Sequence, residues 1–455
     1  MARATEPTPT VRERIESGRE IRGDVPIESH AEIHVDGRPD PIGLLTAQDE
    51  LRLASLVPIR HARMGVSAFT FYRGGAAIMA SDLSRGPTVG LRVQLCGDAH
   101  LSNFGVFFAA DRRLVFDLTD CDETSPVSLE WALTRLVASV AVAGRDNDLS
   151  EGAIRQATRA VTAGYREVLD RSLTMSPLDL HYERVEIEKI LADDEKLRKR
   201  SRKTLAKATR KDSMRALRKL TEEVDGERRI ISQPPLIVPL AGELDDDDRA
   251  RMHEFFEGYR SSLPPHRAAV LDRYRFVDLA HKVVGVGSVG TRCMIVLLES
   301  VDGSPLFLQF KEATTSVLEP FAGPSGHHTA GERVVRGQRA LQTTGDVLLG
   351  WSRMETAGDR PVDYYFRQLW DGKGSAEVEE MGPKRMRRYA RTCGATLALA
   401  HARTGDGPAI AGYLGDDADV DDVFAEFADR YADLNERDHA AHVEAVAAGR
   451  ITASS

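Results

Sequence analysis

A glycine-rich segment at residues 284–292 constrains the fold of this 455-residue chain more than any other feature. Its glycines are spaced as G-x-G-x-x-G, a pattern that either opens a helix against a dinucleotide or forms a turn over phosphate groups. The flanking sequence decides between these, because residues 293–298 are rich in β-formers and carry no helix start. We therefore predict a glycine-rich turn between two strands. Its predicted nucleotide-binding residues are Gly285, Gly287, Ser288 and Gly290.

Lys311 ends the next apolar segment, Leu306 to Lys311, which alternates like a strand. It is the only lysine from Val283 to Gly372 in a chain where arginine greatly outnumbers lysine. Lysine supplies a compact point charge, and a lysine at this place is suited to contact phosphates. Glu332, on a helix predicted near 330–343, is expected to pair with Lys311; Glu312 and Glu319 are the competing partners. A structural hairpin with an incidental lysine is the alternative.

A second polar segment contains Gly97-Asp98, then Asn103, then Asp117 after a predicted hairpin. Phosphoryl transfer needs a carboxylate that positions the acceptor and oxygen ligands that hold Mg²⁺. On this pattern Asp98 orients or deprotonates an acceptor hydroxyl, and Asn103 and Asp117 bind the metal. The alternative is a buried polar loop followed by an acidic surface turn.

Four further residues are candidate substrate contacts or supports of this site: Arg73, His100, Asp120 and Asp122. Each also has an ordinary structural interpretation. Arg73 can cap a helix or form an ion pair, His100 can be a packed loop histidine, and the two aspartates can belong to an exposed acidic turn.

The Gly97–Gly105 segment with Asp117 resembles the catalytic core of the protein-kinase-like superfamily, especially the aminoglycoside and choline kinase type. The chain from about 45 to 440 also resembles a bacterial family catalogued as domain of unknown function 2252, through Phe69 to Gly74, Val284 to Thr291, Leu306 to Ala313 and Ala398 to Arg403. The kinase resemblance implies an α+β, two-lobed fold with ATP and Mg²⁺ as cofactors. Because the catalytic segment precedes the glycine loop, a circular permutation with added helices is expected.

The predicted organisation has five parts. They are a polar N-terminal arm (1–45), a helical lobe with the catalytic and metal-binding loops (46–192), a charged helical insertion and connector (193–262), a β-rich nucleotide-binding lobe (263–372) and C-terminal helices that complete the helical lobe (373–455). The basic stretch 196–219 is either a solvated helix or a face for an acidic partner.

A net charge of −9 argues against nucleic acid or an anionic membrane as the main partner. The four cysteines form no C-x-x-C pair and residues 1–7 have no apolar secretory core, so we expect a cytoplasmic protein. The leading functional hypothesis is an ATP-dependent phosphotransferase that acts on a small molecule. The alternatives are an inactive, nucleotide-binding pseudokinase-like protein and, third, a metal-dependent hydrolase.

Overall fold

The computed structural model describes residues 9–187, 213–240, 245–283, 289–355, 360–369 and 374–454. The protein is a mixed α+β chain in which helices surround several antiparallel sheets. The α+β class predicted from the sequence is therefore confirmed. None of the helices in these ranges is long and apolar enough to cross a membrane.

The strands, in chain order, are β1 Arg92–Leu95, β2 Phe104–Phe108, β3 Leu114–Leu118, β4 Ser125–Ser128, β5 Val185–Glu186, β6 Thr221–Val224, β7 Glu227–Ile230, β8 Ile237–Pro239, β9 Tyr274–Lys282, β10 Cys293–Ser300, β11 Pro305–Glu312, β12 Gly350–Met354, β13 Val362–Gln368 and β14 Gly374–Ser375. The helices are α1 Val11–Asp24, α2 Pro41–Asp49, α3 Val57–Met64, α4 Ala68–Gly74, α5 Ala76–Leu83, α6 Glu130–Asp146, α7 Glu151–Ser172, α8 Pro177–Tyr182, α9 Ser213–Leu220, α10 Asp246–Ser261, α11 Pro265–Leu271, α12 Glu319–Ala322, α13 Ala330–Leu341, α14 Pro383–Thr404, α15 Gly407–Leu414 and α16 Asp419–Ala447.

The largest sheet has the strand order β12-β13-β11-β10-β9-β8, and all of its neighbouring strands are antiparallel. Alternation along β13 sends neighbouring side chains to opposite faces. Tyr364 and Phe366 join the aromatic core beneath α10, where Phe366 stacks on Tyr259 at 3.9 Å between ring centroids. Tyr365 packs on the other face with Val334 and Val335 of α13. This second face carries the polar pocket described below.

The largest hydrophobic core lies among the helices and includes almost every residue of α6. α7 and α14 approach closely within it because each has a glycine at the contact. A Cβ on Gly394 would lie 2.1 Å from the Val161 carbonyl, and one on Gly164 would lie 2.4 Å from the Arg391 carbonyl. This close packing fixes α14, which supports the loop at residues 101–104.

Several predicted elements differ from those observed. The single helix expected over 47–64 is two helices, α2 and α3, separated by residues 50–56. The N-terminal 45 residues, expected as a polar arm, contain α1, which begins with a Thr10–Glu13 capping box. Strand β9 was not predicted, because Arg273, Arg275 and Asp278 interrupt its apolar alternation. Residues 196–212 of the basic stretch lie outside the described residues, and its remainder belongs to α9.

Candidate functional site

Gly97 brings two polar loops into contact at the end of β1. It has a positive φ of 86°, and a Cβ at this position would lie 2.1 Å from the Glu123 carbonyl oxygen. Any larger residue would therefore push the 97–98 turn away from the 120–123 loop. The tight turn places Asp98 beside the acidic residues that follow β3.

Asp98 is held by an ion pair that the sequence analysis did not identify. Arg135, on the buried helix α6, donates to Asp98 Oδ1 through Nε at 2.9 Å and through a terminal nitrogen at 2.7 Å. The Arg135 guanidinium also lies over the Tyr72 ring, 4.0 Å from its centroid. These contacts use one carboxylate oxygen, and the second lies 3.5 Å from His100 Nε2. The Asp98 side chain keeps 18% exposure, toward the pocket.

Asn103 is oriented by the same loop. Its Nδ2 donates to the Asp98 carbonyl at 2.8 Å, which commits the amide nitrogen to the backbone. The backbone carbonyl of Asn103 accepts from the Thr119 amide at 2.8 Å. This bond joins the start of β2 to the end of β3 and brings Asn103 next to Asp120; both residues line the pocket.

Asp117 does not belong to that group. The sequence analysis placed it at a strand end, but β3 continues to Leu118, so Asp117 lies inside the strand opposite Gly105. It is 8% exposed and does not line the pocket. Burial raises the pKa of Asp117 to about 6, against the opposing charge of Arg403 and a hydrogen bond from the Leu118 amide. The metal-binding pair of Asn103 and Asp117 stays a prediction; in the structure Asp120, and not Asp117, lines the pocket together with Asn103.

Lys311, on strand β11 of the largest sheet, extends toward the acidic loop at residues 120–123. Its ammonium forms an ion pair with Asp122 and lies 3.9 Å from Asp120 Oδ2. The Tyr365 hydroxyl donates to the other Asp122 oxygen at 2.5 Å. Burial alone would lower the pKa of Lys311, but the two carboxylates outweigh it and hold that pKa above its usual range. The lysine is 1% exposed and charged, and it binds the 120–122 loop to the sheet.

Glu332, the partner expected for Lys311, instead pairs with Arg336 at 2.7 Å. It lies in the first turn of α13 and accepts from the His328 amide at 3.2 Å, so its carboxylate serves its own helix. The adjacent Arg333 contacts the site. It is 1% exposed and donates to the carbonyls of Asp122, Thr124 and Thr314.

Only one of the four predicted glycine-loop residues lies in the described part of the chain. Gly290 has a φ of 94°, and its carbonyl accepts from the Leu53 amide at 2.8 Å. Arg52 donates to the neighbouring Val289 carbonyl at 2.5 Å. Gly285, Gly287 and Ser288 lie outside the described residues. The described end of the loop leads to Thr291, which lines the pocket.

One pocket collects the polar residues from both parts of the molecule. From the helical side it is lined by Gln48, Arg52, Arg73, Asp98, His100, Asn103, Asp120, Asp122 and Glu123, and from the sheet side by Thr291, Glu312, Thr314 and Tyr365. Burial lowers the pKa of His100 to about 4, so this histidine is neutral near pH 7. The predicted residues Asp98 and Asn103 thus share a cavity with the 120–122 loop, and Lys311, which binds that loop, lies 189 residues after Asp122 in the chain.

Helix α14 supports the pocket from below. The Tyr389 hydroxyl lies 3.0 Å from the carbonyls of both Leu101 and Phe104. At the end of the helix, Thr404 Oγ1 accepts from the Gln94 amide at 3.1 Å. The packing of this helix against the 97–103 loop was predicted from the sequence and is confirmed. Among the described residues, no group of three or more His, Cys, Asp or Glu side chains is arranged to hold a metal ion.

A sequence profile for the bacterial family described as "Uncharacterized protein conserved in bacteria (DUF2252)" matches residues 52–445. The chain belongs to this family. The matched region contains every pocket residue from Arg52 to Tyr365 and leaves out only Gln48. No curated protein and no solved structure matches the chain.

Proposed function

We propose that the protein is a kinase-like phosphotransferase that transfers the terminal phosphoryl group of ATP to a small molecule. The observation that carries this proposal is the shared pocket. It is lined by Asp98, Asn103 and Asp120 on one side, and Lys311 holds it from the opposite sheet. Phosphoryl transfer depends on positioning and electrostatic stabilisation, and this set of groups suits both tasks. In this interpretation the fold is a two-lobed, circularly permuted relative of the kinases.

Asp98 is the candidate catalytic residue, which orients or deprotonates the acceptor hydroxyl. Arg135 fixes one of its oxygens, which leaves the other oxygen for the acceptor. General-base contributions of this kind are typically about 10²–10⁴-fold in rate. The buried, neutral His100 adjoins Asp98 without adding a competing charge.

The residues present fit Mg²⁺ through Asn103 and Asp120. These side chains stand at the joined ends of β2 and β3, and their amide and carboxylate oxygens are the ligand types that Mg²⁺ takes alongside phosphate oxygens. A bound Mg²⁺ would neutralise part of the negative charge on the phosphates. Asp117 faces Arg403 and is not part of the proposed set.

Lys311 and Asp122 act as a positioning pair in this proposal. The ammonium orients Asp122 and Asp120 and opposes the rise that burial causes in the pKa of Asp122, and its charge adds to the attraction for phosphates. Asp122 takes the part that the sequence analysis gave to Glu332. The same pair also favours a second candidate, a nucleotide-binding protein without turnover, because Lys311 is already ion-paired with Asp122.

The test is calorimetric titration of ATP into the full-length protein with and without Mg²⁺, followed by measurement of ATP turnover with a metabolite extract. Mg²⁺-dependent binding with phosphorylated product is expected, and Asp98→Asn should remove the product while it spares binding. Binding without product under all acceptor conditions would favour the second candidate. Absence of nucleotide binding in a well-folded sample would refute both.

A further inference from the structure

We propose that Arg52 and Arg73 form an anion subsite in this pocket, which binds a carboxylate or phosphate group carried by the acceptor. This inference rests on the proposed function and names the acceptor class, an acidic small molecule with a phosphorylatable group. The acidic residues of the pocket would first suggest a cationic or polyhydroxylated acceptor. The hydrogen bonds and ion pairs of those acidic residues instead favour an anionic acceptor.

The carboxylates around the pocket are matched by cations of the protein itself. Asp98 pairs with Arg135, Asp122 with Lys311, and Glu312 with Arg292 at 3.2 Å. Glu123 accepts from the Val317 amide at 2.8 Å, and burial raises its pKa, so its negative charge is weakened. Lys311 also lies 3.9 Å from Asp120 Oδ2 and is shared by the two aspartates. The pocket carboxylates therefore offer a cationic ligand much less charge than their number suggests.

Arg73 is the first cation that lacks such a match. Its Nε is buried and has no hydrogen-bond partner among the described residues. The nearest carboxylate, Glu379, lies 3.6 Å from a terminal nitrogen on a side chain that is 58% exposed. An ion pair that is this long and this exposed to water is weak. The guanidinium is therefore left to interact with a ligand in the pocket that it lines.

Arg52 is the second such cation. One terminal nitrogen donates to the Val289 carbonyl, which anchors the side chain but supplies no negative charge. Within the described ranges, no carboxylate lies within 4 Å of this guanidinium. Burial and the charge of Arg60 lower the pKa of Arg52 to about 10, because the carboxylates of Asp49, Glu123 and Glu312 offset them only in part. A bound anion would supply the missing charge.

His100 completes the subsite with a hydrogen-bonding group. Its Nδ1 is buried without a partner in the part of the chain that the structure describes. Its Nε2 lies 3.5 Å from Asp98 Oδ2. Arg135, which holds Asp98, also donates to the carbonyl of Tyr72, the residue before Arg73, and all three pocket residues line the same cavity. Because Arg73 lies on the Asp98 side, its anion belongs to the acceptor that Asp98 orients. The nucleotide phosphates belong to the side of Asp120 and Lys311.

The subsite can be tested with inorganic phosphate as the probe on the full-length protein. Binding is measured calorimetrically for the wild type, Arg73→Gln, Arg52→Gln and the control Arg275→Gln. Arg275 lies on β9, its side chain is 71% exposed, and it pairs with Glu299 outside the pocket. We expect phosphate affinity to fall at least tenfold in both pocket variants and to stay unchanged in the control. Equal affinity in all four proteins would overturn the proposal.

A second titration distinguishes the acceptor from the nucleotide as the source of the anion. It repeats the phosphate measurement in the presence of saturating Mg²⁺ and a non-hydrolysable ATP analogue. Unchanged phosphate binding supports an acceptor subsite, and displacement of phosphate by the analogue would assign the arginines to the nucleotide and contradict the proposal. Phosphate binding that needs Arg52 and Arg73 in a protein that binds no nucleotide would support the anion subsite and refute the proposed function. If Arg52→Gln unfolds, Arg52→Lys keeps the charge and should retain binding.

Discussion

Two buried clusters of arginine and aspartate show how differently the same residue types are used in this protein. In the helical core, Arg38 donates to both oxygens of Asp82 and both oxygens of Asp438, at 2.6–3.0 Å. In the pocket, Arg73 has one distant carboxylate, and Arg52 is bonded to a backbone carbonyl. Burial is common to both clusters, but the matching of charge is not.

The pKa values follow that difference. Burial would lower the pKa of Arg38, but the bonds to Asp438 and Asp82 outweigh it and raise that pKa above its usual range. Burial prevails for Arg73 and lowers its pKa, since Glu379 and Asp98 compensate it only partly. A buried arginine with two bidentate partners is complete as a structural element. A buried arginine that lines a cavity, and whose positive charge neighbouring carboxylates compensate only in part, is suited to bind an anionic ligand.

Of the variants at the two clusters, Asp98→Asn in the pocket is expected to have the largest effect, and that effect is on turnover. Loss of the carboxylate should reduce turnover by about 10²–10⁴-fold while nucleotide affinity stays within twofold of wild type. Steady-state kinetics and calorimetry measure the two quantities. The control is Asp272→Asn, whose side chain is 46% exposed and paired with Arg260. A parallel loss of nucleotide binding would show that Asp98 serves the nucleotide instead.

Lys311→Met should affect stability and binding together. The sequence alone suggested that this variant would keep its fold, but the structure buries Lys311 between Asp120 and Asp122. Removal of one partner of a buried ion pair costs about 3–5 kcal/mol, because the other charge is left uncompensated. Urea denaturation should show this loss, and titration should show weaker Mg²⁺-dependent ATP binding. Adding Asp122→Asn should restore part of the stability; a fully stable Lys311→Met would contradict the ion-pair assignment.

Asp438→Asn tests the other cluster. It removes one of the two carboxylates that hold Arg38, so we expect a loss of about 1–3 kcal/mol in the free energy of unfolding. Because Asp438 lies on α16 and does not line the pocket, nucleotide affinity and turnover should not change. Thermal denaturation and the same calorimetric titration provide the measurements. Altered nucleotide affinity in the folded variant would mean that the two clusters are coupled.

The elements that form the pocket were largely predictable from local pattern. The hairpin of β2 and β3, the strands β10 and β11 and the helix α14 all follow from alternation or helical periodicity, and their observed bounds lie within two residues of the prediction. Asp98 and Asn103 could be identified because turn chemistry and spacing are local. β3 runs two residues further than its apolar pattern indicates, so Asp117 lies inside the strand and Asp120, in the loop that follows, lines the pocket.

The partners within the site were not predictable from the sequence. Lys311 and Asp122 are 189 residues apart, and Asp98 and Arg135 are 37 apart on different elements. No spacing rule connects such residues, because the contacts depend on how the sheet and the helices pack. Glu332 was chosen for its position on a following helix, yet its own helix supplies Arg336 one turn away. Arg52 gave no sequence signal, because its proposed role depends on how its side chain is surrounded in the folded protein.

Asp117→Asn should have the smallest effect of these variants. It distinguishes between Asp117 and Asp120 as the proposed acidic ligand of Mg²⁺. Burial raises the pKa of Asp117 to about 6, above its ordinary value of 3.8. The folded protein therefore holds this proton more tightly than the unfolded chain does. Its contribution to stability is full below about pH 4 and is lost as the pH rises through about 6.

The asparagine variant keeps the acceptor oxygen for the Leu118 amide but carries no charge. Above pH 6 it should be more stable than the wild type by about 1–3 kcal/mol, and this difference should shrink toward pH 4. Urea denaturation between pH 4 and pH 8 measures the profile. Mg²⁺-dependent ATP binding should be unchanged in Asp117→Asn and lost in Asp120→Asn. The reverse result would return the metal to Asp117 and would require β3 to end before it, as the sequence pattern first indicated.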